Sequence, residues 1–324
     1  MCLLLFLIVV PVAAALVFSV FRLKNDMWRE RCVVITGATG SLGRALCKIC
    51  LQLGDQVIAV DVKDADSVKS VLSEVTATGA GVAARGDENV RARNVSSTGS
   101  KKDTEPVKAV DRLLTVTCDI TKQADVDRLF QRIQESKWQP EVLVNAAAIA
   151  PKKMLLDSSG DELLHCLSVN VAGQLNVIRS LRNLLERAKK PHIINIASAL
   201  AHFSAVGVGA YAASKAALLS VHETLENELR QQHSNIDMSL YSFGQFESPM
   251  FPEDTPNKFL APILKAEDVA ISIAYNIRKH KCGRHFKPRY VHAMPWMRPL
   301  PLWLQRIARA FSGMDNVYAR KKED

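Results

Sequence analysis

Between Cys2 and Phe21 the chain carries no charged residue, and nothing basic precedes that run. The charged n-region that usually opens a cleaved secretory signal is therefore lacking. Aromatic residues are sparse, 6% of 324, and are little interleaved with the basic stretches. With no nucleic-acid-binding motif present, the net charge of +9 does not read as a nucleic-acid surface. An anionic membrane surface fits it better. An even cysteine count is missing too: there are seven, scattered through segments that read as buried. That parity argues against a disulfide framework and for a reducing compartment. Cys47 and Cys50 have the spacing of a redox pair but fall inside a predicted helix, where they read as core.

What the opening segment has is length. About 20 apolar residues suffice to cross a bilayer as a helix. Arg22, Lys24, Arg29 and Arg31 follow at once, and positive flanks stay cytoplasmic. Residues 1–24 are thus expected to form an uncleaved membrane anchor with the body in the cytosol. A signal peptide cleaved near Ala13–Ala15 and a buried core helix are the other readings.

From residue 32 onward, short apolar runs alternate with amphipathic stretches. Strands are predicted over Cys32–Thr36, Gln56–Val60, Leu113–Thr117, Val142–Asn145, His192–Ile196 and Met238–Phe243. Helices are predicted over Ala45–Leu53, Gln123–Lys137, Asp161–Arg187, Tyr211–Gln232 and Ala266–His280. Continuous apolar strands separated by helices imply an α/β fold: one doubly wound parallel sheet with helices on both faces, spanning residues 30–294. Residues 76–110 break the rhythm. They are rich in Gly, Ala, Ser, Thr and charge, and read as a disordered insertion. They contain the sequon Asn94-Val95-Ser96, which matters only on a lumenal protein.

The tail, residues 295–324, mixes Trp296, Trp303, Leu304, Ile307 and Phe311 with Arg298, Arg306 and Arg309. A helix here either lies in a membrane interface or packs on the body or a dimer partner. Lys321-Lys322-Glu323-Asp324 matches a dilysine endoplasmic-reticulum retrieval signal, or is simply a charged terminus.

After the first strand comes Thr36-Gly37-Ala38-Thr39-Gly40-Ser41-Leu42-Gly43. In a strand–turn–helix context, such glycines let backbone approach a pyrophosphate, and the helix N-terminus supplies N–H donors to it. Gly37, Thr39, Gly40, Ser41, Leu42 and Gly43 are therefore candidate dinucleotide contacts. Asp61 ends the second strand, eighteen residues after Gly43. A carboxylate there accepts from ribose hydroxyls and repels a 2′-phosphate, so NAD(H) is preferred; nearby Lys63 leaves NADP(H) possible. Asp119, just past the third strand, is placed to meet the adenine.

Tyr211-Ala212-Ala213-Ser214-Lys215 opens a strong helix, so Tyr211 and Lys215 share a face. A phenol has a pKa near 10, and a neighbouring ammonium is expected to lower it. That makes a proton carrier for a carbinol without any metal. Ser198 lies thirteen residues upstream, just beyond a strand, where its hydroxyl can hold a substrate oxygen.

These motifs together resemble the short-chain dehydrogenase/reductase family over about residues 30–295. The resemblance implies a Rossmann-type domain, a homodimer built on helices, and a Ser-Tyr-Lys-Asn tetrad. It assigns Tyr211 as general acid/base and Lys215 as the residue that tunes Tyr211 and binds the nicotinamide ribose. Ser198 becomes the orienting hydroxyl, and Asn170 holds a relay water; a helix-packing amide is the alternative for Asn170. Asn145 and Ala146 match the turn under the adenosine, and Ser248 matches the loop that contacts the carboxamide. Within the family the likeness is to membrane-associated retinol dehydrogenase 10- and 17β-hydroxysteroid dehydrogenase 11-like members. They imply a lipophilic alcohol (retinoid, steroid, fatty or sphingoid) at an endoplasmic-reticulum or lipid-droplet surface. Residues 245–262 are expected to form an apolar lid.

The chain departs from the family pattern in four ways. Its glycines are spaced as G-x-x-G-x-x-G, Ala146 and Ala148 stand where Asn and Gly are usual, Phe243 replaces a loop proline, and the insertion is foreign. The glycine spacing makes a nucleotide-sugar-modifying enzyme the alternative. A non-catalytic membrane or lipid-droplet organiser on the same fold is the other.

Overall fold

The computed structural model describes residues 29–70, 109–251 and 261–316. The expected anchor, nearly all of the 76–110 insertion with its sequon, the middle of the lid and the dilysine end lie outside them. Among the described residues no helix is long and apolar enough to cross a membrane.

Seven strands form one parallel sheet: β1 (Cys32–Thr36), β2 (Gln56–Asp61), β3 (Leu113–Thr117), β4 (Val142–Asn145), β5 (His192–Ile196), β6 (Asp237–Phe243) and β7 (Gly283–Lys287), in the order β3-β2-β1-β4-β5-β6-β7. The order reverses between β1 and β4, and in such sheets ligands bind beyond the carboxyl ends of the strands at that point. Successive side chains point to opposite faces, so each strand feeds two cores. Val33, Ile35, Val57, Ala59, Val142 and Val144 pack on one side, with α1 (Ser41–Gln52) and α6 (Ala266–Lys279). Val34, Ile58, Val60 and Leu143 pack on the other, with α2 (Gln123–Ser136), α4 (Gln174–Leu185) and the end of α5 (Gly209–Gln231). Burial on both faces explains why the strands read as unbroken apolar runs.

Three expectations need correction. The long helix over Asp161–Arg187 is interrupted. An eight-residue helix α3 (Gly160–Leu167), started by a Ser159–Glu162 capping box, widens into a π turn at Ser168–Gly173 before α4 begins. Gly173 sits where an added Cβ would come within 2.7 Å of Ile120. The strand β7 has no apolar signature, because Gly-Arg-His-Phe-Lys lies at the sheet edge, half-buried, where polar side chains reach water. Ala109 and Val110 belong to a 3₁₀ turn leading into β3, so the insertion ends before them. Of the described cysteines, Cys47 and Cys50 are core, but Cys282 is exposed.

After β7 follow two short helices, α7 (Met294–Met297) and α8 (Leu302–Ser312). The half-buried residues of α8 include Leu304, Ala308 and Arg309. Arg309 lies 4.3 Å over the Phe203 ring and bonds Asp315 at 2.9 Å. Leu302, Trp303, Ile307 and Phe311 are exposed.

Candidate functional site

The loop from β1 to α1 presses against the start of the loop after β4. Gly37 has φ +69, and a Cβ there would fall 2.7 Å from Ala147 Cα; one on Gly43 would fall 2.0 Å from the Gly37 carbonyl oxygen. Only glycine fits either place. No side chain caps the start of α1, so its first amides and positive dipole end remain for a ligand. Gly37, Thr39, Gly40, Ser41, Leu42 and Gly43 line a cleft of about 480 Å³ together with Asp61, Asp119, Ala146, Ile149, Phe246 and Ser248. That volume suits a cofactor-sized molecule. The uncapped helix end and the glycine cradle fit the pyrophosphate of a dinucleotide.

Asp61 is buried and already engaged. Its carboxylate accepts from Thr39 N at 2.9 Å, Thr39 Oγ1 at 3.0 Å and Lys63 N at 3.2 Å. Oδ2 is filled by the two Thr39 bonds, and Oδ1 retains one acceptor site for a ribose hydroxyl. Asp119 accepts from Thr121 Oγ1 at 2.7 Å and faces Lys122; hydrogen bonds from Thr121 and Lys122, outweighing partial burial, hold its carboxyl below the usual range. Arg44, which sequence reasoning passed over, also lines the cleft. Its position immediately after Gly43 was the available signal.

Asn145 does not line the cleft. It is fully buried at the end of β4, and its amide donates to Asn195 Oδ1 at 2.9 Å; Asn195 in turn bonds His222 Nδ1 at 3.2 Å. The side chain points within the sheet layer because its neighbour Asn195 stands in register with it. Ala146, the next residue, does line the cleft.

Ser198, Tyr211, Lys215 and Asn170 come together beside the cleft, all buried. Ser198 follows β5 in extended conformation, and its Oγ accepts from Leu200 N at 3.1 Å. The Tyr211 phenol lies near enough to the Ser198 hydroxyl for Ser198 to draw its pKa downward. Lys215 Nζ lies 5.7 Å from the Tyr211 ring centroid and donates to the Ile196 carbonyl at 2.7 Å. Tyr211 and Lys215 do not line the cleft: Phe251 meets the Tyr211 ring at 5.6 Å, and Cys166 and Ala210 pack around it.

The electrostatics reverse one expectation. Burial pushes the Tyr211 phenol up to about 12, against the opposing influence of Ser198. Burial also brings the Lys215 ammonium down to about 8. Desolvation disfavours both charged forms and outweighs any help the ammonium gives the phenolate. As folded, Tyr211 is a protonated donor at neutral pH.

Asn170 sits within the π turn. Its Oδ1 accepts from Ile149 N at 2.8 Å, and its Nδ2 donates to Ile149 O at 2.9 Å and Ser214 Oγ at 2.8 Å. Both amide hydrogens are thereby used, while the oxygen keeps one lone pair. The side chain is a clamp between the π turn, the loop after β4 and the helix bearing Tyr211. Sequence reasoning missed Phe251 and Cys166 as neighbours of Tyr211, because neither spacing nor pattern ties them to it.

The family model described as short chain dehydrogenase matches residues 81–258. Farnesol dehydrogenase of Aedes aegypti is 26% identical over 254 residues, 77% of this chain and 91% of that protein. The uncharacterized oxidoreductase YDL114W of Saccharomyces cerevisiae is 26% identical over 206 residues, 62% of this chain and 67% of that protein. Among solved structures, 3-ketoacyl-(acyl-carrier-protein) reductase from Brucella melitensis complexed with NADH superposes with a TM-score of 0.61 at 21% identity, covering 79% of this chain and 96% of that one.

Proposed function

The chain belongs to the short-chain dehydrogenase family, and on that premise we propose that it is a nicotinamide-dependent oxidoreductase interconverting a lipophilic alcohol and its carbonyl. The observation that carries this reading is the buried convergence of the Ser198 hydroxyl, the Tyr211 phenol and the Lys215 ammonium beside the glycine-lined cleft. Ser198 holds the substrate oxygen. Tyr211, protonated at neutral pH, gives its proton to a carbonyl oxygen as hydride arrives, or takes it back from a carbinol. Lys215 orients and tunes the phenol. Asn170 fixes the helix turn behind them. A nicotinamide held in the glycine-lined cleft would supply or accept the hydride, while Tyr211 and Ser198 handle the proton and the substrate oxygen.

The preference proposed is NAD(H), on Asp61. Arg44 and Lys63 favour the opposite choice, since a cation near the ribose accommodates a 2′-phosphate. For substrate, the apolar reading draws on a second hollow of about 460 Å³ over the first turns of α5, lined by Met154, Leu155, Val206, Ala212 and Ala213. It draws also on the similarity to farnesol dehydrogenase. The finer likeness to retinol and 17β-hydroxysteroid dehydrogenases rests on sequence motifs alone. Membrane attachment is proposed through residues 1–24 and the exposed apolar side of α8, at an endoplasmic-reticulum or lipid-droplet surface with the body in the cytosol. A homodimer through the faces of α4 and α5 completes the proposal.

A nucleotide-sugar enzyme needs a further substrate domain. Among the described residues, those after α5 form β6, α6, β7 and short helices, with no separate substrate lobe. A non-catalytic organiser leaves the shared burial of three proton-handling groups without a use.

The test is Tyr211→Phe. Loss of one positioned acid/base is expected to lower kcat about 10²–10⁴-fold on a lipid alcohol or aldehyde, with NAD(H) affinity unchanged. Turnover that survives the change rejects the mechanism. An untargeted lipid comparison of wild-type and Tyr211→Phe cells then identifies the substrate.

A further inference from the structure

At the sheet edge opposite the cleft, three side chains with metal-ligand chemistry meet. His192 opens β5 and Asp237 opens β6 beside it in register. Cys282 immediately precedes β7. His280 closes α6 in a left-handed conformation, φ +48. One ring nitrogen from each histidine and the Cys282 sulfur all lie within 4.8 Å of one another.

The hydrogen bonds around these rings leave lone pairs to spare. His192 is 1% exposed; its Nε2 pairs with the Ser239 hydroxyl at 2.8 Å, while its Nδ1 is buried with no partner. A buried orphan of this kind calls for an explanation, and an ion is one of the few available. His280 Nε2 donates to the Asp237 carboxylate at 2.7 Å. That bond fixes the proton on Nε2 and leaves Nδ1 bare, which is how carboxylates orient metal-binding histidines. Cys282 is exposed, and its thiol donates to the His280 carbonyl at 3.6 Å, which holds the sulfur beside that ring.

We propose that His192, His280 and Cys282 bind one zinc-type divalent ion, with Asp237 orienting His280. Two imidazoles and a thiolate suit zinc and exclude magnesium or calcium, which take oxygen ligands. A tetrahedral ion with bonds of about 2.0–2.3 Å holds its ligands roughly 3.5 Å apart, a closure that the exposed Cys282 and its loop can make. A water fills the fourth position. On binding, Cys282 exchanges its thiol proton for the ion, and the proton passes to the buffer. The ion ties the start of β5 to the turn between α6 and β7. It stands apart from the cleft and takes no part in the proton transfer proposed there.

The test uses the full chain, tag-free and in detergent, stripped with a chelator. Zinc is titrated against a chromophoric competitor, and cobalt(II) is added separately to read the ligands. Expected are one equivalent of zinc, a cobalt–thiolate charge-transfer band, and a Tm that rises with zinc. Cys282→Ser should abolish the band and the Tm rise. Asp237→Asn should weaken zinc about 10–100-fold, as for other orienting groups. His280→Asn, which tolerates the left-handed backbone, should weaken it further. No stoichiometric binding, an unchanged cobalt spectrum in Cys282→Ser, or full affinity in His280→Asn overturns the proposal.

Discussion

At the residue scale, burial sets the protonation states that matter. His222 accepts from Asn195, and burial, aided by Arg284, lowers its pKa to about 4. Its folded pKa is depressed below the unfolded value near 6.5, so on acidification the unfolded chain takes the proton first. Stability from this group is complete above pH 6.5 and falls as pH drops toward about 4, by about 1.4 kcal/mol per pH unit. Urea unfolding at pH 7 and pH 5 should show that loss in wild type and a smaller one in His222→Gln, which keeps an acceptor for Asn195. Asp61 carries two duties, so its substitution needs a control. Asp61→Ala should raise kcat/KM for NADP(H) relative to NAD(H) and weaken both cofactors, because Thr39 loses its acceptor. Thr39→Val should weaken both without shifting the ratio, and Arg44→Ala should shift the ratio toward NAD(H). Steady-state kinetics with each cofactor separates the three. The glycines, Asp61 and the Tyr211/Lys215 pair are legible in sequence because each depends on local spacing. The direction of the Tyr211 shift is not, since it depends on what packs around the ring from distant segments: Cys166, Phe251 and the end of β5.

At the scale of elements, the π turn at Ser168–Gly173 does most to place the site. A uniform α-helical pattern runs through it, so periodicity predicts one helix. The widening follows from Asn170 bonding Ile149 and Ser214, a long-range arrangement that no period of 3.6 records. Asn170→Ala leaves the Ile149 amide and carbonyl without those partners and should cost about 2–6 kcal/mol, at about 1–3 per buried group left unpaired. Asn170→Asp keeps the acceptor and loses the donor, so thermal unfolding should place it below wild type as well. The helix α8 was legible as amphipathic, but not which side would meet the body. Because Trp303, Ile307 and Phe311 face outward, a Trp303→Ser/Phe311→Ser double variant should lose affinity for anionic phospholipid vesicles in flotation. A change in oligomeric state instead would make this face a contact between copies.

For the molecule as a whole, the strand edges opposite the cleft are held by charge. Arg278 bonds Asp55 at 2.7 Å, both nearly buried, and Arg29 pairs with Glu141. Burial raises the Asp55 carboxyl to about 6 even beside Arg278 and Arg31. Removing the cation strands that carboxylate, so Arg278→Met should cost about 3–5 kcal/mol in urea unfolding at pH 8. The doubly wound order was legible because apolar runs alternate with amphipathic ones; this ionic brace was not, since its members are spread from Arg29 to Arg278. With Phe251 resting on Tyr211, a visitor that approaches across that side must take the place of an aromatic ring. A greasy chain replaces that contact with one of its own, whereas a short hydrophilic alcohol leaves a wet gap. Discrimination among alcohols would then be exercised at the door, appearing in KM and fading in Phe251→Ala, while the bond-making step treats those admitted much alike.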